Sequence, residues 1–222
     1  MSSIRRIEFA PDLTEQVYQR LLNAICDGEL AAGARLTQEE LAASLDVSRQ
    51  PVLQALRLLR KDGFLIDSGR RGLMVAPLDA GLISHVYAVR AVLDGLAARL
   101  AAQAKARIDV LVIAEGRKAA AGTRIVAMID ADARFHDLIY AASGNPLIAE
   151  SAGRHWQHVR RAMGAVLQTV GVRASVWDEH EAILKAIARG EDEKAEKLAR
   201  KHGEGAGRNL AMHLDRHMRE AS

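Results

Sequence analysis

The chain has one cysteine, Cys26, so no disulfide can close within it, and a reducing compartment fits best. Aromatic residues make up only 4%. Alanine and leucine dominate instead, which favours helices over sheets. No apolar run approaches the length of a membrane span, and the N-terminal MSSIRRIEFAPD lacks the apolar core of a signal peptide. A soluble cytoplasmic protein with no membrane partner is therefore expected. Internal repeats and low-complexity tracts are also missing. What is abundant is apolar residue, 49% of 222, enough for a sizeable core. That length suits two domains, one small and one of ordinary size.

The net charge of +3 is too small to point to nucleic acid, but its distribution is uneven. Residues 1–48 hold four Lys/Arg and eight Asp/Glu, a net of −4, whereas residues 49–71 hold six against two, a net of +4. A basic stripe after an acidic segment is the footprint of a DNA reader. On charge alone, a solvated helix face explains it equally well.

Local patterning decides between the two. Leu13, Val17, Leu21, Leu22 and Ile25 recur at helical spacing, with Asp12 and Glu15 placed to cap the start. Thr37 and Glu40 form a capping box for a second helix, Asp46-Val47 a turn, and Ser48 a cap for a third helix with Pro51 in its first turn. In that third helix Val52, Leu56 and Leu59 form the buried face and leave Arg49, Gln50, Gln54, Arg57 and Lys61 outside. Two β-like runs, 64–66 and 73–76, flank a turn bearing Arg70, Arg71 and Gly72. The predicted unit, residues 1–77, is a winged helix-turn-helix. Such a helix enters the major groove and meets base edges with its N-terminal residues. Arg49 suits a guanine, Gln50 or Gln54 an adenine, and Ser48 a phosphate, while Arg35, Arg57, Arg70 and Arg71 serve the backbone, with Gly72 beside them as a further DNA-binding candidate.

GELAAGARLTQEELAASLDVSRQPVLQALRLLRKDGFL, followed by RRGLMVAP, resembles the N-terminal domain of GntR-type bacterial transcription regulators. The resemblance implies a dimer or higher oligomer on a short palindromic operator. Two departures matter. Many relatives carry an arginine where Glu39 stands, and another, within Pro-Val-Arg-Glu, where this chain has Leu53-Gln54. Arg49 is retained, so the resemblance implies DNA binding but not the usual operator.

After Pro77 the pattern is helical throughout, and six helices over residues 78–222 predict an all-α bundle. Gly203, Gly205 and Gly207 interrupt the last helix, each at a cost of about 1 kcal/mol relative to alanine. Close backbone packing is the favoured explanation over a helix softened to respond to ligand. Asp132 and His136 lie four apart on one helix face, and His180 and His202 follow on later helices. One carboxylate and three imidazoles suit a divalent transition metal, although from spacing alone an ordinary helix-surface pair is the better account.

ADARFHDLIYAASGNPLI and WDEHEAILKAIARGE, with His202, resemble the FCD effector domain of the FadR subfamily of GntR regulators. The helix count fits the six-helix, VanR-like form better than the seven-helix FadR form. The resemblance implies a metal on Asp132, His136, His180 and His202, zinc by default with nickel or manganese as alternatives, and Arg90 near an effector. An arginine fork matches a carboxylate, so a small organic acid is expected. A simple pair with Asp94 is the plainer role for Arg90. Asn145 and His158 are further effector candidates, though a helix cap suits Asn145 better. The tryptophans and remaining histidines are assigned to packing or surface.

A ligand-responsive homodimeric transcription regulator, and by analogy a repressor, is the leading expectation. A metal-dependent hydrolase is the alternative, but no motif places a general base beside a metal-bound water. A binding module that has lost DNA recognition is a third reading, given Glu39 and Leu53.

Overall fold

The computed structural model describes residues 13–69, 72–167 and 175–220. Asp12, Arg70 and Arg71 lie outside them. The chain divides into two compact units, Met1–Pro77 and Leu78–Ser222.

The first unit is built from α1 (Leu13–Cys26), β1 (Arg35–Leu36), α2 (Gln38–Leu45), α3 (Arg49–Lys61), β2 (Leu65–Asp67) and β3 (Leu73–Val75). The two-residue strand β1 was not foreseen, being too short to leave an alternating pattern. It pairs antiparallel with β3, giving a sheet of order β1-β3-β2 with Arg35 opposite Met74. Thr37 caps α2: its hydroxyl oxygen accepts from the Glu40 amide at 3.3 Å and its O–H donates to the Glu40 carboxylate at 2.8 Å. Asp46 ends α2 in the left-handed region at φ 52°, and the Val47 amide then reaches Ala42. Ser48 occupies the N-cap position of α3, but, contrary to expectation, its hydroxyl makes no capping hydrogen bond. Val52, Ala55, Leu56 and Leu59 of α3 pack on Leu21, Leu22 and Ile25 of α1 and on Phe64 and Val75, with Cys26 as a small core filler.

The second unit contains α4 (Ala80–Gln103), α5 (Leu111–Ala120), α6 (Ile125–Ala142), α7 (Pro146–Leu167), α8 (Val176–Arg189) and α9 (Asp192–Glu220). Asp79 caps α4 through the amides of Gly81 and Leu82. Gln103 meets Asp192 and Arg99 meets Glu196, while Ala91 lies against Gly203 and Tyr87 against Gly207. The long helices α4 and α9 therefore run antiparallel. By length and composition α4 could cross a membrane, which the sequence reading missed. Its centre is instead built into the bundle, with Arg90 and Asp94 buried.

The glycines of α9 divide by role. A Cβ on Gly207 would lie 2.5 Å from the Tyr87 Cβ, and one on Gly203 3.1 Å from Ala91. Both allow close helix approach, the favoured explanation. A Cβ on Gly205 would meet nothing within 4 Å, so packing does not explain that residue. Gly205→Ala is expected to raise stability by about 0.5–1 kcal/mol. Gly207→Ala should lower it by about 1–3 kcal/mol, because Tyr87 must move. Urea denaturation of both variants checks the opposite signs.

Candidate functional site

In the first unit, the exposed arc of α3 carries Arg49, Gln50 and Arg57, with Leu53 and Gln54 half-buried beside them. Arg35 is exposed on the edge strand β1 and Gly72 ends the β2–β3 turn, where the Ser68 amide donates to its carbonyl. Arg60 pairs with Asp67 at 3.0 Å. Arg49 pairs with Glu39 at 3.0 Å, a contact the sequence reading did not anticipate.

In the second unit, α6, α8 and α9 bring the four proposed ligands together. His136, His180 and His202 are buried and present ring nitrogens that lie within 4.8 Å of one another. The Nε2 atoms of His180 and His202 are 3.1 Å apart. The Asp132 carboxylate faces Nε2 of His136 at 3.9 Å and Nε2 of His180 at 3.7 Å. The outer nitrogens face carboxylates: His202 Nδ1 is 2.8 Å from Glu179, and His136 Nδ1 is 3.5 Å from Asp94. A carboxylate on Nδ1 fixes the tautomer that leaves Nε2 open to a metal. His180 is fully buried, stacked on Phe135 at 3.8 Å and edge-on to Trp177. Burial, and then the charges of His202 and His136, push its pKa well down, so it is the neutral imidazole that a metal requires. This donor set fits a divalent transition metal.

Beside the cluster lies a cavity of about 110 Å³. Arg90, Asp94, Asp132, His136 and His202 line one part of it. Arg90 sits between the Tyr87 and Trp156 rings, 5.7 and 5.2 Å from their centroids, with Nε 3.6 Å from Asp94. The plainer pairing with Asp94 is thus present, and Arg90 lines the cavity as well. Burial alone would lower the Arg90 pKa, but Asp94, together with Tyr140, Tyr87 and Asp132, more than compensates and keeps it charged. Burial would likewise raise the Asp94 carboxyl, yet His136 and Arg90 hold it well below the usual carboxylate range. The Tyr140 hydroxyl donates to Asp94 and is itself pushed up, first by burial and then by Asp94.

Two effector candidates fall away from the cavity. The Asn145 side chain accepts from the Leu147 amide at 3.1 Å and caps α7. His158 is half-buried on α7, one residue and about 100° from Val159, while Met163, Val166 and Leu167 reach the cavity. Other lining residues went unrecognised. Asn209 and His213 line the cavity on the same stripe of α9 as His202 and Ala206. Spacings of four, three and four residues from His202 were legible as one helical face. His213, assigned to packing or surface, lines the cavity, whereas Trp177 does pack in the core, against Phe135 and His180, and reaches the cavity as well.

A winged helix-turn-helix with a basic reading helix, joined in sequence to an all-helical unit around a buried Asp/His cluster, defines a DNA-binding transcriptional regulator rather than an enzyme. Residues 13–75 match the family of bacterial regulatory proteins called gntR, and residues 85–205 match the FCD domain. The chain therefore belongs to the GntR family and carries an FCD domain. It is 30% identical over 171 residues to the Nta operon transcriptional regulator of Aminobacter aminovorans, covering 73% of this chain and 78% of that one. It is 32% identical over 135 residues to the HTH-type regulator YdhC of Bacillus subtilis (strain 168), a match spanning 59% of this chain and 60% of the relative. A GntR regulator from Rhodococcus sp. RHA1 superposes with a TM-score of 0.71 at 26% identity, over 89% of this chain and 96% of that one.

Proposed function

We propose that this regulator binds a divalent metal through Asp132, His136, His180 and His202, and that a small organic acid joining the metal and Arg90 alters its affinity for operator DNA. The observation that carries this reading is the convergence of three buried imidazoles and one carboxylate, with Nδ1 of two of the imidazoles turned to Asp94 and Glu179. A bound ion, zinc by default and nickel or manganese on the same ligands, would offer open positions to a carboxylate oxygen. Arg90 would hold the second oxygen. Met128, Met163, Val166 and Leu210 suit an apolar body on the acid, and Asn209 and His213 suit a hydrogen-bonding group on it.

Repression relieved by the acid is the mode proposed. A relative from Paenarthrobacter nicotinovorans, 29% identical over 201 residues, is named as a probable D-xylose utilization operon repressor. A homodimer, or a higher oligomer built on it, is proposed through α4, where Leu82, Val89, Val92 and Leu96 form an exposed apolar stripe at spacings of seven, three and four residues. Acting on DNA, the protein would work in the cytoplasm.

A thermal-shift screen of aliphatic and aromatic monocarboxylates, with and without chelator, tests the site. The expected result is at least one acid that raises the melting temperature of metal-loaded protein and has no effect after chelation. An acid that stabilises stripped and loaded protein equally would contradict the metal-dependent site.

A further inference from the structure

The DNA-reading surface carries an acid where a cation is expected. Glu39, in the first turn of α2, places Oε1 3.0 Å from Nη1 of Arg49, the first residue of α3. The two side chains are 61% and 69% exposed. A pair this exposed contributes about 0–1 kcal/mol to folding, so stability gives little reason for it. The adjacent carboxylate, Glu40, is taken up by the Thr37 hydroxyl, which leaves Glu39 as the one that reaches α3. One turn beyond Arg49 stands Leu53, which offers Glu39 no second cation.

On DNA this arrangement has two consequences. The first helix of a helix-turn-helix crosses the phosphate backbone, where a lone carboxylate would be repelled. Pairing with Arg49 cancels that charge but also removes one cation from the electrostatic attraction. A guanidinium, however, holds five N–H donors in one rigid plane. Glu39 engages Nη1, and Nη2 and Nε remain as a fork matching O6 and N7 of guanine.

We propose that Glu39 is a positioning residue for base readout. It fixes the Arg49 guanidinium so that the remaining edge addresses one guanine, raising discrimination while lowering total DNA affinity. The base preference of this regulator then resides in a Glu39–Arg49 unit, in place of the separate arginines implied by the family resemblance.

The test uses the full chain with two duplexes of equal length, one selected by the wild-type protein from a random-sequence pool and one unrelated. Fluorescence anisotropy at several salt concentrations gives both affinities for wild type, Glu39→Ala, Glu39→Asp, Arg49→Ala and the double alanine variant. Glu39→Ala should bind the unrelated duplex more tightly, with a steeper salt dependence. Its ratio of specific to non-specific affinity should fall about tenfold, the scale of one well-formed base contact. Glu39→Asp should recover part of that ratio, and Glu39→Ala should leave the ratio unchanged in the Arg49→Ala background. The melting temperature should stay at the wild-type value, because both side chains are exposed. A ratio within about twofold of wild type in Glu39→Ala, on the scale of one base contact, overturns the proposal. So does a higher ratio, which would mean that Glu39 sequesters Arg49, or an equal loss in the Arg49→Ala background.

Discussion

Arg49→Ala is expected to bring operator binding down to the level of unrelated DNA. Arg49 opens α3 and lies on its exposed arc, at the end that a helix-turn-helix presents to the major groove. Its neighbours there are Gln50, Leu53 and Gln54, none of them charged, and the next cation on the arc is Arg57, two turns on. A bidentate arginine–guanine contact is worth about 1–3 kcal/mol, or roughly 5- to 150-fold in affinity. In the proposed dimer both half-sites lose it. Phosphate contacts from Arg35 and Arg57 should survive, so binding to unrelated DNA weakens only by the loss of one cation per chain. Anisotropy titration of both duplexes at fixed salt separates the two effects. Full operator affinity in Arg49→Ala would place the reading surface elsewhere.

Removing the proposed metal is expected to lower the melting temperature of the helical unit by about 10 °C. A ligand present at a thousand times its Kd stabilises the native state by about 4 kcal/mol, and each kcal/mol moves a domain of this size by roughly 2–4 °C. Stripping would leave the Nε2 atoms of His180 and His202 facing each other at 3.1 Å in a buried site, with no ion between them and Asp132. Asp132 is the ligand to substitute, because its side chain is 16% exposed whereas that of His180 is fully buried. Asp132→Ala should fold, lose its metal on dialysis and melt at the same temperature with or without chelator. Elemental analysis and thermal denaturation of the two proteins check this. A chelator-dependent shift of the same size in Asp132→Ala would assign the metal to other residues.

The sequence revealed these features unevenly, for reasons of range. The helix-turn-helix is legible because its determinants are local: Thr37 three residues before Glu40, Asp46 at the turn, and a buried stripe from Val52 to Leu59. The later helices are legible from their apolar spacing, and Gly122, Ser143-Gly144 and Gly190 mark the ends of α5, α6 and α8. Asp132 and His136 share a helix face by spacing alone. That His180 and His202 meet them depends on how α6, α8 and α9 pack, which no local pattern encodes, and only the family resemblance suggested it. The Glu39–Arg49 pair likewise joins two helices across a turn.

The most direct test of the account is the operator affinity of metal-loaded protein, measured by anisotropy with and without an acid that raises its melting temperature. The predicted result is a change of tenfold or more, the low-to-middle range of allosteric coupling (roughly 5- to 150-fold), absent in Asp132→Ala. An acid that binds and stabilises the protein yet leaves operator affinity unchanged would contradict it.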